Sequence, residues 1–287
     1  MNILVTGSNG QLGNEMRVLS KAHPKHRYFF ADVVSAEDTY VLDITDKAAV
    51  SAFVAEHAID LIVNCAAYTN VDKAEEDEAT AMKINADALS VLGSQGVKVI
   101  HISTDYVFSG DEHLPCKESD PVAPRTAYGR TKYAGEKNLL GVCPEAVILR
   151  TAWLYSSFGN NFVKTMIRLG HEKETFGVVF DQIGTPTYAA DLAQAIFTVI
   201  ECPMWHPGIY HFTNEGVCSW YDFTIAIHEL AGIKTCQVRP ISSEKYAYKT
   251  PRPHYSVLDK SKFKKTFNVT IPYWLDGLRR CVKLLNC

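Results

Sequence analysis

Tyr128 and Lys132 stand four residues apart in the run "AYGRTKYAGEKNLL", a spacing that puts both side chains on one face of a helix. A tyrosine phenol ordinarily gives up its proton near pH 10. A neighbouring ammonium favours the phenolate and lowers that value, so the pair is expected to pass a proton to or from a substrate oxygen near neutral pH. The residue types alone do not single it out, because Tyr106, Tyr133 and Lys137 offer the same groups close by. A Y-x-x-x-K spacing therefore needs partners elsewhere in the chain.

The first partner is "TGSNGQLG" at residues 6–13, where Gly7, Gly10 and Gly13 punctuate the step from "NILV" to the helical pattern "QLGNEMRVLSKA". The spacing is G-x-x-G-x-x-G rather than the more familiar G-x-G-x-x-G. Each glycine still has a use: a tight turn, close approach of backbone to a pyrophosphate, and close packing of helix on strand. The helix start adds free N–H groups and a positive dipole end, so Asn9 and its neighbours read as a phosphate cradle. Asp32 follows nineteen residues after Gly13, at the end of the next apolar run, where a carboxylate can hold adenosine ribose hydroxyls. It would repel a 2′-phosphate, which leans the choice towards NADH. Asp43 in "LDITD" stands near the expected adenine edge, and Ala66 and Ala67 in "NCAAYT" are small enough for a cofactor to pass closely.

Positioning these residues requires a particular scaffold. "NILVTG", "HRYFFADV", "TYVLDITD", "IDLIVNCAAY", "VKVIHISTDYVF" and "EAVILRTAWLY" read as six strands separated by helical patterns. Apolar strands alternating with helices predict a doubly wound α/β fold, its parallel sheet covered on both faces and binding ligands at the strand C-termini. "GIYHFTN" reads as a further strand, and "WYDFTIAIHELAG" as a helix stopped at Gly232. The expected division is a dinucleotide-binding domain over 1–149, with 181–212 and 258–287 packing back on it. A smaller, discontinuous substrate lobe comprises 150–180 and 213–257.

Composition narrows the class. The chain has 287 residues, 47% of them hydrophobic and 21% charged, with a formal net charge of −3. That balance suits a globular protein with a sizeable core and argues against a nucleic-acid binder. No run resembles a membrane span or a signal peptide. The eight cysteines, Cys65 to Cys287, are scattered without a C-x-x-C pair, which predicts reduced thiols in a cytoplasm and no zinc site.

Taken in order, "GQLG", "AAYTNVDKAE", "HISTDYVF", "YGRTKYAGE", "ILRTAWLY", "NFVKTM", "DQIGTPTYAADLA" and "SVLD" resemble the dTDP-4-dehydrorhamnose reductase family, within the extended short-chain dehydrogenase/reductase superfamily. The resemblance covers almost the entire chain. It implies NADH- or NADPH-dependent reduction of the 4-keto group of dTDP-4-dehydro-6-deoxy-L-mannose to dTDP-L-rhamnose, in rhamnose and cell-surface polysaccharide biosynthesis. Tyr128 would then protonate the 4-oxyanion, Lys132 would tune it and hold the nicotinamide ribose, and Thr104 would hydrogen-bond the same oxygen. Asp105 would contact the sugar or order its loop, and Trp153 would pack on the sugar face or belong to the core. Gln11, Leu12, Val33, Ile44 and Tyr68 would help line the cofactor site. Some family members carry Mg²⁺ at a dimer interface. A homodimer is therefore one implied assembly, and Glu15 stands where a ligand could lie, but no metal is predicted here.

Two departures from the family stand out. Between Asn85 and "VKVIHIS" only about ten residues, roughly 15 Å, remain for a helix, about one turn fewer than the family has, and Gly93 falls inside it. Either the helix is shortened or residues 86–97 are not continuous. Asn70 stands where the family more often has a small residue, to meet a substrate diphosphate or face water. The same scaffold also serves other nucleotide-sugar reductases and epimerases. It resembles, too, the regulatory subunit of methionine adenosyltransferase, which would bind NAD(P) without turnover.

Overall fold

The structure, a computed structural model, describes residues 1–246 and 249–285; Cys287 lies outside the described residues. Six strands are β1 (Asn2–Thr6), β2 (Arg27–Asp32), β3 (Tyr40–Val41), β4 (Leu61–Asn64), β5 (Lys98–Thr104) and β6 (Val147–Thr151). With the strand Gly208–His211 they form a seven-stranded sheet, ordered Gly208–His211, β6, β5, β4, β1, β2, β3. Every pairing in it is parallel. The chain leaves β1 in one direction and returns at β4 to proceed in the other. The β1–β4 boundary is therefore the switch point, where a crevice opens beyond the strand ends.

The helices are α1 (Gln11–Ser20), α2 (Lys47–Glu56), α3 (Val71–Glu76), α4 (Glu78–Met82), α5 (Ala88–Gly93), α6 (Ala127–Val142), α7 (Phe162–Glu172), α8 (Ala189–Glu201), α9 (Trp220–Leu230), α10 (Ser261–Phe267) and α11 (Trp274–Leu285). Leu12 and Met16 of α1 and Leu192 and Ile196 of α8 cover one face of the sheet. Val50 and Val54 of α2, Leu89 and Leu92 of α5 and Leu139 of α6 cover the other. Burial on both faces explains the nearly continuous apolar strands, since "LIVN" is buried at all four positions.

The helix before β5 is continuous. A wide π-helical turn, Lys83–Asp87, joins α4 directly to α5, so the chain carries a shortened helix and no break. The π turn pushes the Asn85 carbonyl towards α6, where a Cβ at Gly135 would lie 2.0 Å from that oxygen. Gly93, costly in a helix by up to about 1 kcal/mol, is placed by packing: a Cβ there would come within 2.6 Å of Val142. Asn70, a candidate for the diphosphate, instead caps α3 by accepting from the Lys73 N–H (3.0 Å).

The second lobe has its own core, in which Tyr155, Val163, Met166, Phe223 and Ile227 meet Val178 and Val238. The last two come from a parallel strand pair, Thr175–Val179 with Gln237–Ile241, that the sequence reading missed. The C-terminal segment divides in a way the expected boundaries do not. Phe263 and Phe267 of α10 pack on the sheet, whereas Trp274, Leu278, Cys281 and Val282 of α11 pack on the lobe. Residues 258–285 therefore contribute to both hydrophobic cores. No helix among the described residues is long and apolar enough to cross a membrane.

Candidate active site

The glycine turn sits against the end of β4. Gly7 has φ +65°, and a Cβ there would come within 2.5 Å of the Ala66 nitrogen, so only glycine fits. A Cβ at Gly13 would meet the Gly7 carbonyl at 2.4 Å, which lets α1 start directly on the turn. α2, α3, α6, α7 and α9 each begin with a side-chain cap. α1 has none, so its first-turn N–H groups and positive dipole end are left for an anion.

The turn, the ends of β1, β4, β5 and β6, and the start of α6 enclose a cavity of about 960 Å³. Lining it are Gly7, Gly10, Gln11, Leu12, Asp32, Val33, Asp43, Ile44, Ala66, Ala67, Thr104, Asp105, Tyr128, Lys132 and Trp153. Three other residues from the same sequence reading do not line it. Asn9 buttresses it: its N–H donates to Asp32 Oδ2 (3.0 Å) and its side chain to the Val34 carbonyl (2.8 Å). Gly13 acts through packing alone. Tyr68 is tied by its backbone to the Asn85 side chain (2.8 and 3.0 Å), which places the π turn behind the cavity wall. Asp32 is itself engaged, accepting also from the Val34 N–H (3.2 Å), so its carboxylate is held in one orientation at the cavity edge.

At the reacting end, the Thr104 hydroxyl donates to Asp105 Oδ1 (2.9 Å), and the Tyr106 ring meets Tyr128 edge-on (5.4 Å). Tyr106 shares the cavity wall, whereas Tyr133 lies beneath the Lys137 ammonium (4.8 Å), and that pair is absent from the lining. The expected lowering of the Tyr128 phenol by Lys132 does not occur. Burial pushes it up to about 12, partly offset by a hydrogen bond with Thr104 and reinforced by the charge of Asp105. The reason is positional: Lys132 Nζ turns into the sheet and donates to the Ile102 carbonyl (2.6 Å). Burial pushes its amine down to about 8, against the opposing pull of Glu136. Burial likewise raises the Asp105 carboxyl to about 7, with hydrogen bonds from Thr104 and Ser256 pulling the other way.

α6 is pinned by a buried ion pair. Arg150 of β6 donates twice to Glu136 (2.8 and 2.6 Å), and Ser103 of β5 adds a third donor (2.5 Å). The far wall belongs to the second lobe. Trp153, at φ +48°, stacks on Trp220 with ring centroids 3.4 Å apart. An aromatic residue in left-handed backbone costs about 1–2 kcal/mol, and such strain gathers at functional sites. One face of the Trp153 indole is therefore covered by Trp220, which also lines the cavity. Sequence reading missed Trp220 because "WYDFTIAIHELAG" presents it only as one apolar residue of a helix. Glu15 is 5% exposed and accepts from Ser156 (2.6 Å), and that contact joins α1 to the second lobe. Among the described residues no cluster of three or more His, Cys, Asp or Glu side chains could hold a metal.

The strand order, the glycine turn at the switch point and a tyrosine–lysine pair on one helix beside it belong to the extended short-chain dehydrogenase/reductase class. A family model described as the RmlD substrate binding domain matches residues 1–287, and the chain belongs to that family. A solved dTDP-4-dehydrorhamnose reductase from Clostridium acetobutylicum is 41% identical, with 100% of both chains covered and a TM-score of 0.93. One from Bacillus anthracis, solved in complex with NADP, is 39% identical over 98% of each chain, with a TM-score of 0.89. The dTDP-4-dehydrorhamnose reductase of Escherichia coli (strain K12) is 39% identical over 99% of this chain and 98% of its own.

Proposed function

We propose that the protein reduces the 4-keto group of dTDP-4-dehydro-6-deoxy-L-mannose to give dTDP-L-rhamnose, using NADH or NADPH. The observation that carries this reading is the shared cavity: the glycine turn, Asp32 and the Thr104–Tyr128–Lys132 group all open onto it. The residues fit a dinucleotide. Gly7 lets the turn close against β4 and Gly13 lets α1 start directly on that turn, so the uncapped α1 faces the charge of a pyrophosphate, and Asp32 stands ready for ribose hydroxyls. When bound, the reduced nicotinamide supplies a hydride to C4 of the sugar.

The chain's own residues supply the proton and the orientation. Tyr128, with its phenol held at about 12, is protonated at neutral pH and gives that proton to O4 as the carbonyl becomes an alkoxide. Thr104 hydrogen-bonds the same oxygen. To do so it turns its single proton away from Asp105 Oδ1, to which it otherwise donates, and Lys132 steadies the resulting phenolate once it has turned towards the cavity. Trp153 and Trp220 wall the sugar end, where indoles cover C–H surface. We place the enzyme in the cytoplasm; the seven cysteines among the described residues are all free, which supports that reading.

Incubation of the protein with the dTDP-4-keto sugar and NADH or NADPH should consume the reduced nicotinamide and yield dTDP-L-rhamnose. Tight cofactor binding with no turnover would favour a regulatory subunit. Faster turnover of a uridine-linked 4-keto sugar would move the assignment to another nucleotide-sugar reductase.

A further inference from the structure

Behind the reacting edge, a line of buried side chains runs from β1 to α6. The Thr6 hydroxyl donates to Asn64 Oδ1 (2.6 Å), Asn64 Nδ2 meets His101 Nδ1 (3.0 Å), and His101 Nε2 lies 3.2 Å from Lys132 Nζ. None of the four residues is more than 1% exposed. The direction of every hydrogen bond follows from one end. The Ala66 backbone N–H can only donate, and it donates to Asn64 Oδ1 (3.2 Å). The other Asn64 side-chain atom is thus the amide nitrogen, a donor, and His101 Nδ1 must accept. Full burial, the larger cause, holds the imidazole neutral whether or not Lys132 is charged, so its single proton sits on Nε2 and points at Lys132 Nζ. An ammonium has no lone pair to receive it, whereas a neutral amine has one.

We infer that His101, its tautomer fixed by Asn64, is a positioning residue that favours the neutral, retracted form of the Lys132 amine over the ammonium, so that at alkaline pH cofactor binding is coupled to uptake of a proton at Lys132. The charged and titratable groups around that amine are few. On α6 itself stand Tyr128 and Glu136, the latter neutralised by Arg150 of β6 (2.6 Å). His101 faces it from β5, while Asp105, beyond β5, and Cys65, beyond β4, share the cavity wall with it. Among these only His101 presents a donor to Nζ. Lys132 therefore parts from His101 when it turns to the cavity as a cation. The inference rests on the reading of Lys132 as the residue that meets the cofactor.

Two measurements test it. In ligand-free, ¹⁵N-histidine-labelled protein, NMR should find the His101 proton on Nε2; a proton on Nδ1 would overturn the tautomer argument. At about pH 9, above the free amine's value of about 8, mixing with NADPH in weak buffer should take up close to one proton per chain. Asn64→Asp inverts the chain: the carboxylate accepts from Nδ1–H, and Nε2 becomes an acceptor for a cationic lysine. Uptake should then vanish, and the alkaline limb of kcat/KM for NADPH should rise by about one pH unit or more. An unchanged limb with undiminished uptake would contradict the inference. Should Asn64→Asp not fold, the wild-type tautomer and uptake still decide. Failure of NADPH to bind at all would sink the functional reading, while the tautomer measurement would still test His101.

Discussion

On the sheet side of the cavity, Gly7 and Gly13 belong to one short segment and already touch: a Cβ on the second would strike the carbonyl of the first. On the lobe side, Trp153 and Trp220 come from distant parts of the chain yet stack at 3.4 Å. The first wall is made by local geometry, a turn between a strand and a helix. The second exists only after β6, α9 and the lobe core have assembled, and it holds Trp153 in strained backbone. The glycine-turn half of the cavity is thus set by local spacing, while the tryptophan half, proposed to hold the sugar, is set by tertiary packing. Changes on the two sides should fail differently.

The largest effect is expected where the halves meet. Tyr128→Phe removes the proton donor and should lower kcat by roughly 10²–10⁴-fold with cofactor affinity retained; turnover near the wild-type rate would refute the assignment. On the glycine-turn side, Gly13→Ala forces a Cβ against the Gly7 carbonyl and should cost about 1–3 kcal/mol. The loss should appear in both thermal stability and NAD(P)H affinity, and unchanged affinity would show that the turn does not hold the pyrophosphate. On the lobe side, Trp220→Ala removes an aromatic pair of about 0.5–1.5 kcal/mol beyond its buried area. Steady-state kinetics should show KM for the sugar raised about tenfold or less, with the cofactor KM unchanged; an equal rise in both would erase the contrast. Asp32→Ala should have the smallest effect, weakening NADH roughly fivefold, in keeping with one net hydrogen bond, and NADPH less. Equal loss of both would remove the ribose argument.

The same contrast explains how much could be read in the sequence. All seven sheet strands, the glycine turn and the Tyr128–Lys132 helix were legible because their periods and spacings are local. The strand pair Thr175–Val179 and Gln237–Ile241 was not: Gln237–Ile241 is largely exposed, and Gly177 and Pro240 interrupt the two strands. Trp220 was invisible for a related reason, since only its stacking on Trp153 marks it out. The direction of the Tyr128 shift was misjudged because spacing shows that Lys132 shares a helix face with Tyr128. It does not show that the Ile102 carbonyl takes up the amine instead. The short helix before β5 was correctly flagged by counting residues, but the π turn that completes it depends on Gly135 giving room to the Asn85 carbonyl.

The central claim is that hydride and proton meet at C4 and O4 of one keto sugar in this cavity. It is tested most directly with reduced nicotinamide carrying deuterium at its transferable position and dTDP-4-dehydro-6-deoxy-L-mannose as acceptor. The account predicts dTDP-L-rhamnose with a single deuterium, located at C4, and little product from Tyr128→Phe under the same conditions. Deuterium at another carbon, or none in the product while the label remains on the cofactor, would contradict it.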